Sequence, residues 1–280
     1  MAGTALVLGG GGITGIGWEI GMLAGLAEAG LDLAAADVVI GTSAGSIVGA
    51  HATSDRLTLE EMYERQLAAP EGRSAARMGP AAMARFAAIA LRSRDAVSFG
   101  ARMGRLALAA RTVPEAEQRA GIARTLAGAD WPARRLVITA VDSATGERTA
   151  FDDTSGVSLV DAVTASCAVP GVFPPVSIDG KRWIDGGVHS SANADLAAGY
   201  SRVVVIAPMA VSGGPIAAPR TQGENLARQG ARVCVITPDR SARAAFGRNV
   251  LDPTKRADAA RAGRRQSSAH TEEIQQIWSD

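Results

Sequence analysis

The stretch Val38-Val39-Ile40-Gly41-Thr42-Ser43-Ala44-Gly45-Ser46-Ile47-Val48-Gly49-Ala50 decides how the chain is read. Its first three residues form a short, continuous apolar run, which suits a strand buried on both faces. The run stops at Gly41, and an Ala-rich helical pattern opens at Gly45 and continues to about Thr53. One serine between two glycines therefore sits where a strand gives way to a helix. Gly41-Thr42-Ser43-Ala44-Gly45 fits G-x-S-x-G in the strand–turn–helix setting that a nucleophile elbow demands. Small neighbours are needed because such a turn is tight, and the helix N-terminus behind the serine favours negative charge. An ordinary small-residue turn with a serine N-cap has the same local pattern.

On either side of this stretch the same alternation continues. Ala5-Leu6-Val7-Leu8 reads as a buried strand ending in four glycines, and Trp18 to Ala29 as a helix stopped by Gly30. Leu136 to Ala140 reads as a strand, Asp142 to Gly146 as a turn, and Arg148 to Phe151 as a strand pairing back. Leu159 to Ser166 is helical and halts before Pro170. Val176 to Ile178 and Arg182 to Ile184 flank Asp179-Gly180 as a hairpin. Arg202 to Ala207 and Arg232 to Thr237 are further buried strands. Gly213 to Gly223 reads as a mobile loop, and the tail after about Arg256 as a charged helix with a polar end. The pattern predicts an α/β fold, three-layered α/β/α, with a mostly parallel central sheet.

The 280 residues read as one domain, with a helical insertion at about 55–130 acting as a cap. That segment has no strand-like run. Met78, Met83, Phe86, Ile89, Met103, Leu106 and Leu108 alternate in it with Arg77, Arg85, Arg92, Arg94, Arg102, Arg105 and Arg111. Two readings fit: helices packed on the sheet with their arginines in water, or a basic amphipathic surface for anionic lipid.

Composition excludes several classes. A net charge of +1 argues against a general nucleic-acid binder. Cys167 and Cys234 make neither a disulfide framework nor a metal-ligand cluster, and no metal or cofactor is expected. The opening MAGTALVLGGGG lacks the basic region of a signal peptide. No apolar stretch reaches the ~20 residues that span a bilayer. The expectation is a cytoplasmic protein that touches membranes, where it does, from outside through the helical cap; nothing here indicates an oligomeric state.

Gly9-Gly10-Gly11-Gly12-Ile13-Thr14-Gly15 follows the first strand and opens the first helix. Acyl transfer needs backbone N–H groups aimed at a carbonyl oxygen as it gains charge, and glycines let the backbone come close. Gly10-x-Gly12-x-x-Gly15 also fits the dinucleotide fingerprint, which makes a nucleotide-binding protein the rival reading. That fingerprint wants an acid at the end of the next strand, where this chain has Gly41-Thr42-Ser43.

A base for Ser43 must come from few candidates. His51 lies about two turns into the second helix and is expected to point away; His270 lies in the tail. An order Ser43, Asp185, His270 makes a formal triad. The alternative is Asp185 itself, in Trp183-Ile184-Asp185-Gly186-Gly187, because a carboxylate in a dry site, hydrogen-bonded to a serine, is a base once its pKa is raised. A plain Asp-Gly-Gly turn reads the same.

Four separated pieces resemble the patatin-like phospholipases. They are Gly10 to Gly15, like an oxyanion loop; Gly41 to Gly45, like a nucleophile elbow; Ala165-Ser166-Cys167-Ala168-Val169-Pro170-Gly171-Val172-Phe173-Pro174-Pro175; and Asp185-Gly186-Gly187 with Asn193 beyond it. Thr139 to Asp142 with Thr145-Gly146-Glu147 looks similar too. The resemblance spans roughly residues 5 to 210. It implies a Ser–Asp dyad, with Ser43 as nucleophile and Asp185 as base. It also implies an oxyanion hole from the N–H groups of Gly11 and Gly12 with Gly10 near by, and metal-independent hydrolysis of lipid acyl esters. Thr14 stands where the family usually carries Arg or Lys, which leaves a soluble carboxylesterase or thioesterase as a narrower alternative. Trp18 and Trp183 read as packing residues, and Cys167 as a buried small residue.

Overall fold

A computed structural model describes residues 3–69, 80–210 and 214–278. Met78, Arg77 and Gly213, singled out above, lie outside the described residues. Eight strands form one sheet: β1 (Thr4–Leu8), β2 (Val38–Gly41), β3 (Leu136–Asp142), β4 (Arg148–Phe151), β5 (Val176–Ile178), β6 (Lys181–Asp185), β7 (Arg202–Ile206) and β8 (Arg232–Ile236). Their order is β5-β6-β3-β2-β1-β7-β8, with β4 paired to β3. The five strands β3, β2, β1, β7 and β8 run parallel, and β4, β5 and β6 join antiparallel.

Strand periodicity divides the core between the two faces. Leu6, Leu8, Val39, Ile138, Val204, Ile206, Cys234 and Ile236 point to one face. There they meet α1 (Gly12–Glu28), α2 (Ala44–Ala52), α3 (Leu59–Leu67), α7 (Leu159–Ser166), α9 (Arg240–Phe246), α10 (Arg256–Ser267) and α11 (Thr271–Trp278). Val7, Ile40, Val137, Val203 and Val205 point to the other, against residues 192–197 and Leu226 of α8 (Pro219–Arg228). Val141 and Ile184 continue that face under Phe99 and Met103 of α5 (Ala96–Ala109). The result is the expected α/β/α architecture with a mostly parallel sheet.

Between α2 and β3 the described residues hold only helices: α3, α4 (Pro80–Arg92), α5 and α6 (Glu115–Thr125). They pack on different neighbours. α3 packs on α1 and α10, α6 on α7, and α5 on β3, while α4 rests on α5. Met103 is fully buried, as the reading of helices packed on the sheet has it, whereas Met83 and Leu108 are exposed.

The first helix starts at Gly12, inside the glycine run expected to open it and six residues before its apolar pattern becomes visible. Two sequence readings change. Gly213–Gly223 is not a loop throughout: α8 opens at Pro219, whose missing N–H is harmless at a first helical position. Gly223 lies inside that helix because a Cβ there would meet Val235 Cγ2 at 2.4 Å. Lastly, the tail is not merely a charged helix. α10 lies against α1 through small residues from both, and Cβ atoms on Gly17, Gly21 and Gly263 would fall within 2.6, 2.0 and 2.1 Å of backbone carbonyl oxygens on the facing helix. Its buried residues are Ala259, Ala260, Ala262, Gly263, Gln266 and Ser267, too small or polar to announce a core helix by hydrophobicity.

Candidate active site

The C-terminal ends of β1 and β2, and the end of β6 that reaches them across β3, gather the sequence-singled residues. Ser43 follows β2 with φ 52° and ψ −114°, a backbone region that a side chain makes costly. Its surroundings leave no room on either side. A Cβ on Gly41 would lie 2.7 Å from Gly45 O, and one on Gly45 would lie 2.1 Å from Leu8 O. The two glycines of the elbow are thus required by the close passage of α2 over the ends of β1 and β2. α2 begins at Ala44, directly behind the serine.

Asp185 ends β6, which pairs antiparallel with β3 so that Ala140 faces Asp185. This carries the carboxylate across β3 to the elbow. Ser43 Oγ donates to Asp185 Oδ2 at 2.7 Å, and the Gly187 N–H donates to Oδ1 at 2.7 Å. The carboxyl is buried, and burial pushes its pKa up to about 7, against the lowering effect of the Ser43 and Gly187 hydrogen bonds. Gly186 is needed because a Cβ would fall 2.3 Å from Thr139 Oγ1.

The glycine run bends over the same point. Gly10 places its Cα side toward Ser43, whose Cβ would be 3.5 Å from an added methyl. The Gly10 N–H is committed to Ser191 O at 2.7 Å, so it is not a free donor. The N–H groups of Gly11 and Gly12 have no acceptor among the described residues. The loop is clamped from outside: a Cβ on Gly11 would lie 2.4 Å from Pro208, and one on Gly12 2.7 Å from Val250 O. Thr14 is fully buried, and its N–H and hydroxyl both donate to Val250 O, at 3.0 and 3.4 Å. At this position the side chain fastens the segment around Val250 to the loop.

Several participants stood in the quoted motifs without a role assigned to them. The Ser43 N–H donates to Ser166 Oγ at 2.8 Å, and the Cys167 thiol donates to Ser43 O at 3.4 Å. Burial and the Asp185 charge raise the Cys167 pKa to about 12, which keeps it a thiol. Asn193 Nδ2 lies 3.0 Å from Thr42 Oγ1, 3.2 Å from Thr139 Oγ1, 3.3 Å from Gly186 O and 2.8 Å from Ser190 O. One amide thereby links the elbow, β3 and the turn after Asp185. Glu19 is fully buried on α1, and burial drives its pKa well above the usual carboxylate range against the lowering effect of the Gly9 backbone.

The histidines lie elsewhere. His51 is held by burial below its ordinary pKa and bonds toward Thr125. His189 lies near Arg148 and Asp195. His270 packs beside Cys234 and Glu273, with ligand atoms of the three within 4.8 Å of one another. Cys234 shares a row with Val204, Leu6 and Val39, so three strand spacings, about 14 Å, separate it from the elbow strand. Among the described residues no histidine hydrogen-bonds to Ser43 or Asp185. Where a ribose-binding acid would stand after β2, the Thr42 hydroxyl instead pairs with Thr139 at 2.9 Å.

Solved structures resemble this one, VipD and ExoU among them. VipD from Legionella pneumophila shares 13% identity at a TM-score of 0.47, over 97% of this chain and 66% of that one. The type III effector protein ExoU shares 17% at 0.41, over 96% of this chain and 53% of that one. The chain thus spans just under two thirds and about half of their respective lengths. No curated protein matches the sequence. The family described as Patatin-like phospholipase matches residues 6–198, a span that holds the glycine run, the elbow and Asp185. This chain belongs to the patatin-like phospholipase family.

Proposed function

We propose that the protein is a serine acyl hydrolase of lipid esters that works with a Ser43–Asp185 dyad. The observation that carries this reading is the 2.7 Å hydrogen bond from Ser43 Oγ to Asp185 Oδ2, under a glycine run whose Gly11 and Gly12 N–H groups have no acceptor among the described residues. Asp185 accepts the Ser43 proton as Oγ attacks the ester carbonyl. The Gly11 and Gly12 N–H groups hold the resulting oxyanion, with Gly10 shaping the approach. The tetrahedral adduct collapses as the C–O bond to the alcohol breaks, and the alcohol leaves with the proton from Asp185. Water then loses a proton to Asp185 and attacks the acyl-enzyme; collapse of the second adduct returns the proton to Ser43 and frees the carboxylic acid. No step calls on a metal ion, so activity should survive a chelator.

Membership of a phospholipase family supports lipid as the substrate class, and we take the working partner to be a membrane or lipid aggregate met from its aqueous side. No helix among the described residues is long and apolar enough to cross a bilayer. Fluorophosphonate labelling mapped by peptide mass spectrometry tests the dyad. The expected result is label on Ser43 of the wild type, falling sharply in Asp185→Asn. A folded wild type that takes no label overturns the reading.

A further inference from the structure

Exposed large hydrophobic side chains are not scattered over this protein. Among the described residues they are Met83, Leu91, Val97, Leu108 and Val113 on or next to α4 and α5, plus Met209 and Val250. Leu91 is 87% exposed and Met83 62%. On α4, Met83, Ala87 and Leu91 follow at intervals of four and form one outward stripe, while Phe86, Ile89 and Ala90 pack inward on the patch under β3 and β6. A single exposed leucine needs no explanation, but a clustered set beside a candidate site does.

The same stretch carries Arg85, Arg92, Arg94, Arg102, Arg105 and Arg111, all exposed. Its one acid is Asp95, which caps α5 by accepting from the Ser98 N–H at 2.7 Å. The Ser98 hydrogen bond and the charge of Arg94 beside it lower that carboxyl's pKa, and none of the six arginines forms a salt bridge among the described residues. For a chain of net charge +1 this is a strong local excess.

Position ties the stretch to the site. A Cβ on Gly214, in the chain after β7, would touch Ala90 of α4 at 2.8 Å, and Leu106 of α5 lies against Gly171. Met209 follows Pro208, which packs on Gly11, and Val250 accepts from Thr14.

We infer that α4, α5, Met209 and Val250 form a docking face for an anionic lipid bilayer, which presents the glycine loop and Ser43 to lipid esters. Arginines bring the face to the surface, and the interleaved methionine, leucine and valine side chains enter the headgroup boundary. The inference rests on the ester-hydrolase reading only for its purpose; the binding itself is independent of it.

The test is flotation with vesicles of mixed phosphatidylglycerol and phosphatidylcholine, and of phosphatidylcholine alone, using wild type, Ser43→Ala, Met83→Asp with Leu91→Asp, and Arg92→Glu with Arg102→Glu and Arg105→Glu. Wild type and Ser43→Ala should bind the anionic vesicles equally and lose them with added salt. Each arginine is worth on the order of fivefold at such a surface, so the triple variant should bind at least tenfold more weakly, and the double variant likewise. Both should keep wild-type turnover of a monomeric, water-soluble ester. No vesicle binding, or binding that neither variant weakens, overturns the docking face. Binding by a wild type that hydrolyses no ester overturns the hydrolase reading alone.

Discussion

Asp185 reaches Ser43 across 142 residues of sequence with one oxygen, while its other oxygen accepts the N–H of Gly187 two residues on. The carboxylate thus has two partners and is buried, and burial raises its pKa to about 7. A base must be deprotonated to accept a proton. We therefore expect kcat/KM on a soluble ester to fall about tenfold per pH unit below about 7 and to level off above it. His270→Ala should leave both limb and plateau in place. Loss of activity in that variant, with its fold intact, would argue for the triad.

The same burial has a consequence for stability, of opposite sign to that of an ion-paired carboxylate. The folded pKa lies above the unfolded value of 3.8, so the folded state binds the extra proton between the two. Stability contributed by this group is full below about pH 4 and is lost as pH rises to about 7. Asp185→Asn keeps an acceptor for Gly187 and cannot ionise. It should melt above the wild type at pH 8, by up to about 4 kcal/mol in stability, with the difference closing toward pH 4. Melting curves across that range decide it. An Asn variant less stable than wild type at pH 8 would mean that the carboxylate is not desolvated.

Asn193 joins the elbow, the middle of β3 and the turn after Asp185. Its backbone is left-handed, φ 53°, so replacement by Gly preserves the main chain while removing the amide. Asn193→Gly leaves the Thr42 and Thr139 hydroxyls to pair only with each other and strips a donor from Gly186 O. A stability loss of about 1–3 kcal/mol is expected from the buried polar groups. If the amide sets the spacing of Ser43 and Asp185, kcat should fall by about 100-fold with KM nearly unchanged. A drop in stability alone would reduce Asn193 to a structural role.

Some of this was legible in the residues alone because the chemistry is local. The elbow, the glycine run and Asp-Gly-Gly each declare a tight backbone, and the strands declare themselves by unbroken Val, Leu and Ile. What stayed hidden depends on contacts between distant segments. Ser166 meets the Ser43 N–H only because α7 packs beside α2. Val250 closes on Thr14 from 236 residues away. The burial of Met103 on α5 could not be told from the exposure of Leu108 by their spacing with arginines. α10 escaped because its packing is carried by Ala, Gly and Ser, which show no apolar stripe.

Glycines that look alike in sequence should respond differently to one methyl. Gly45→Ala would drive a Cβ to 2.1 Å from Leu8 O at the base of the elbow. Backbone on backbone has no cheap relief, so a loss of more than about 3 kcal/mol and little soluble protein are expected. Gly121→Ala on α6 meets only the end of Arg124, at 3.9 Å. It should stabilise by about 0.5–1 kcal/mol through helix propensity. Denaturant midpoints of the two variants check the pair, and equal effects would contradict the close passage of the elbow over β1.

The family match ends at residue 198, yet the fold does not. α10 covers the outer face of α1, the helix that opens from the glycine loop. Gln266 accepts from Trp18 Nε1 at 3.1 Å and donates to Thr237 O at 2.8 Å, joining α1, α10 and the end of β8. Without α10, the fully buried Trp18 would face water and α1 would lose the partner that its glycines were shaped to admit. A chain ending at Lys255 should therefore fail to fold cooperatively, although it retains every motif of the candidate site. Gly21→Ala in the full chain is the milder form of the same test, since its Cβ would sit 2.0 Å from Ala260 O. Backbone again meets backbone, as at Gly45, so it should cost more than about 3 kcal/mol. Ester hydrolysis per folded molecule should remain close to wild type, because the contact lies on the side of α1 turned away from Ser43. A stable, active chain without α10 would mean that the C-terminal helices are an accessory rather than the outer wall of the core.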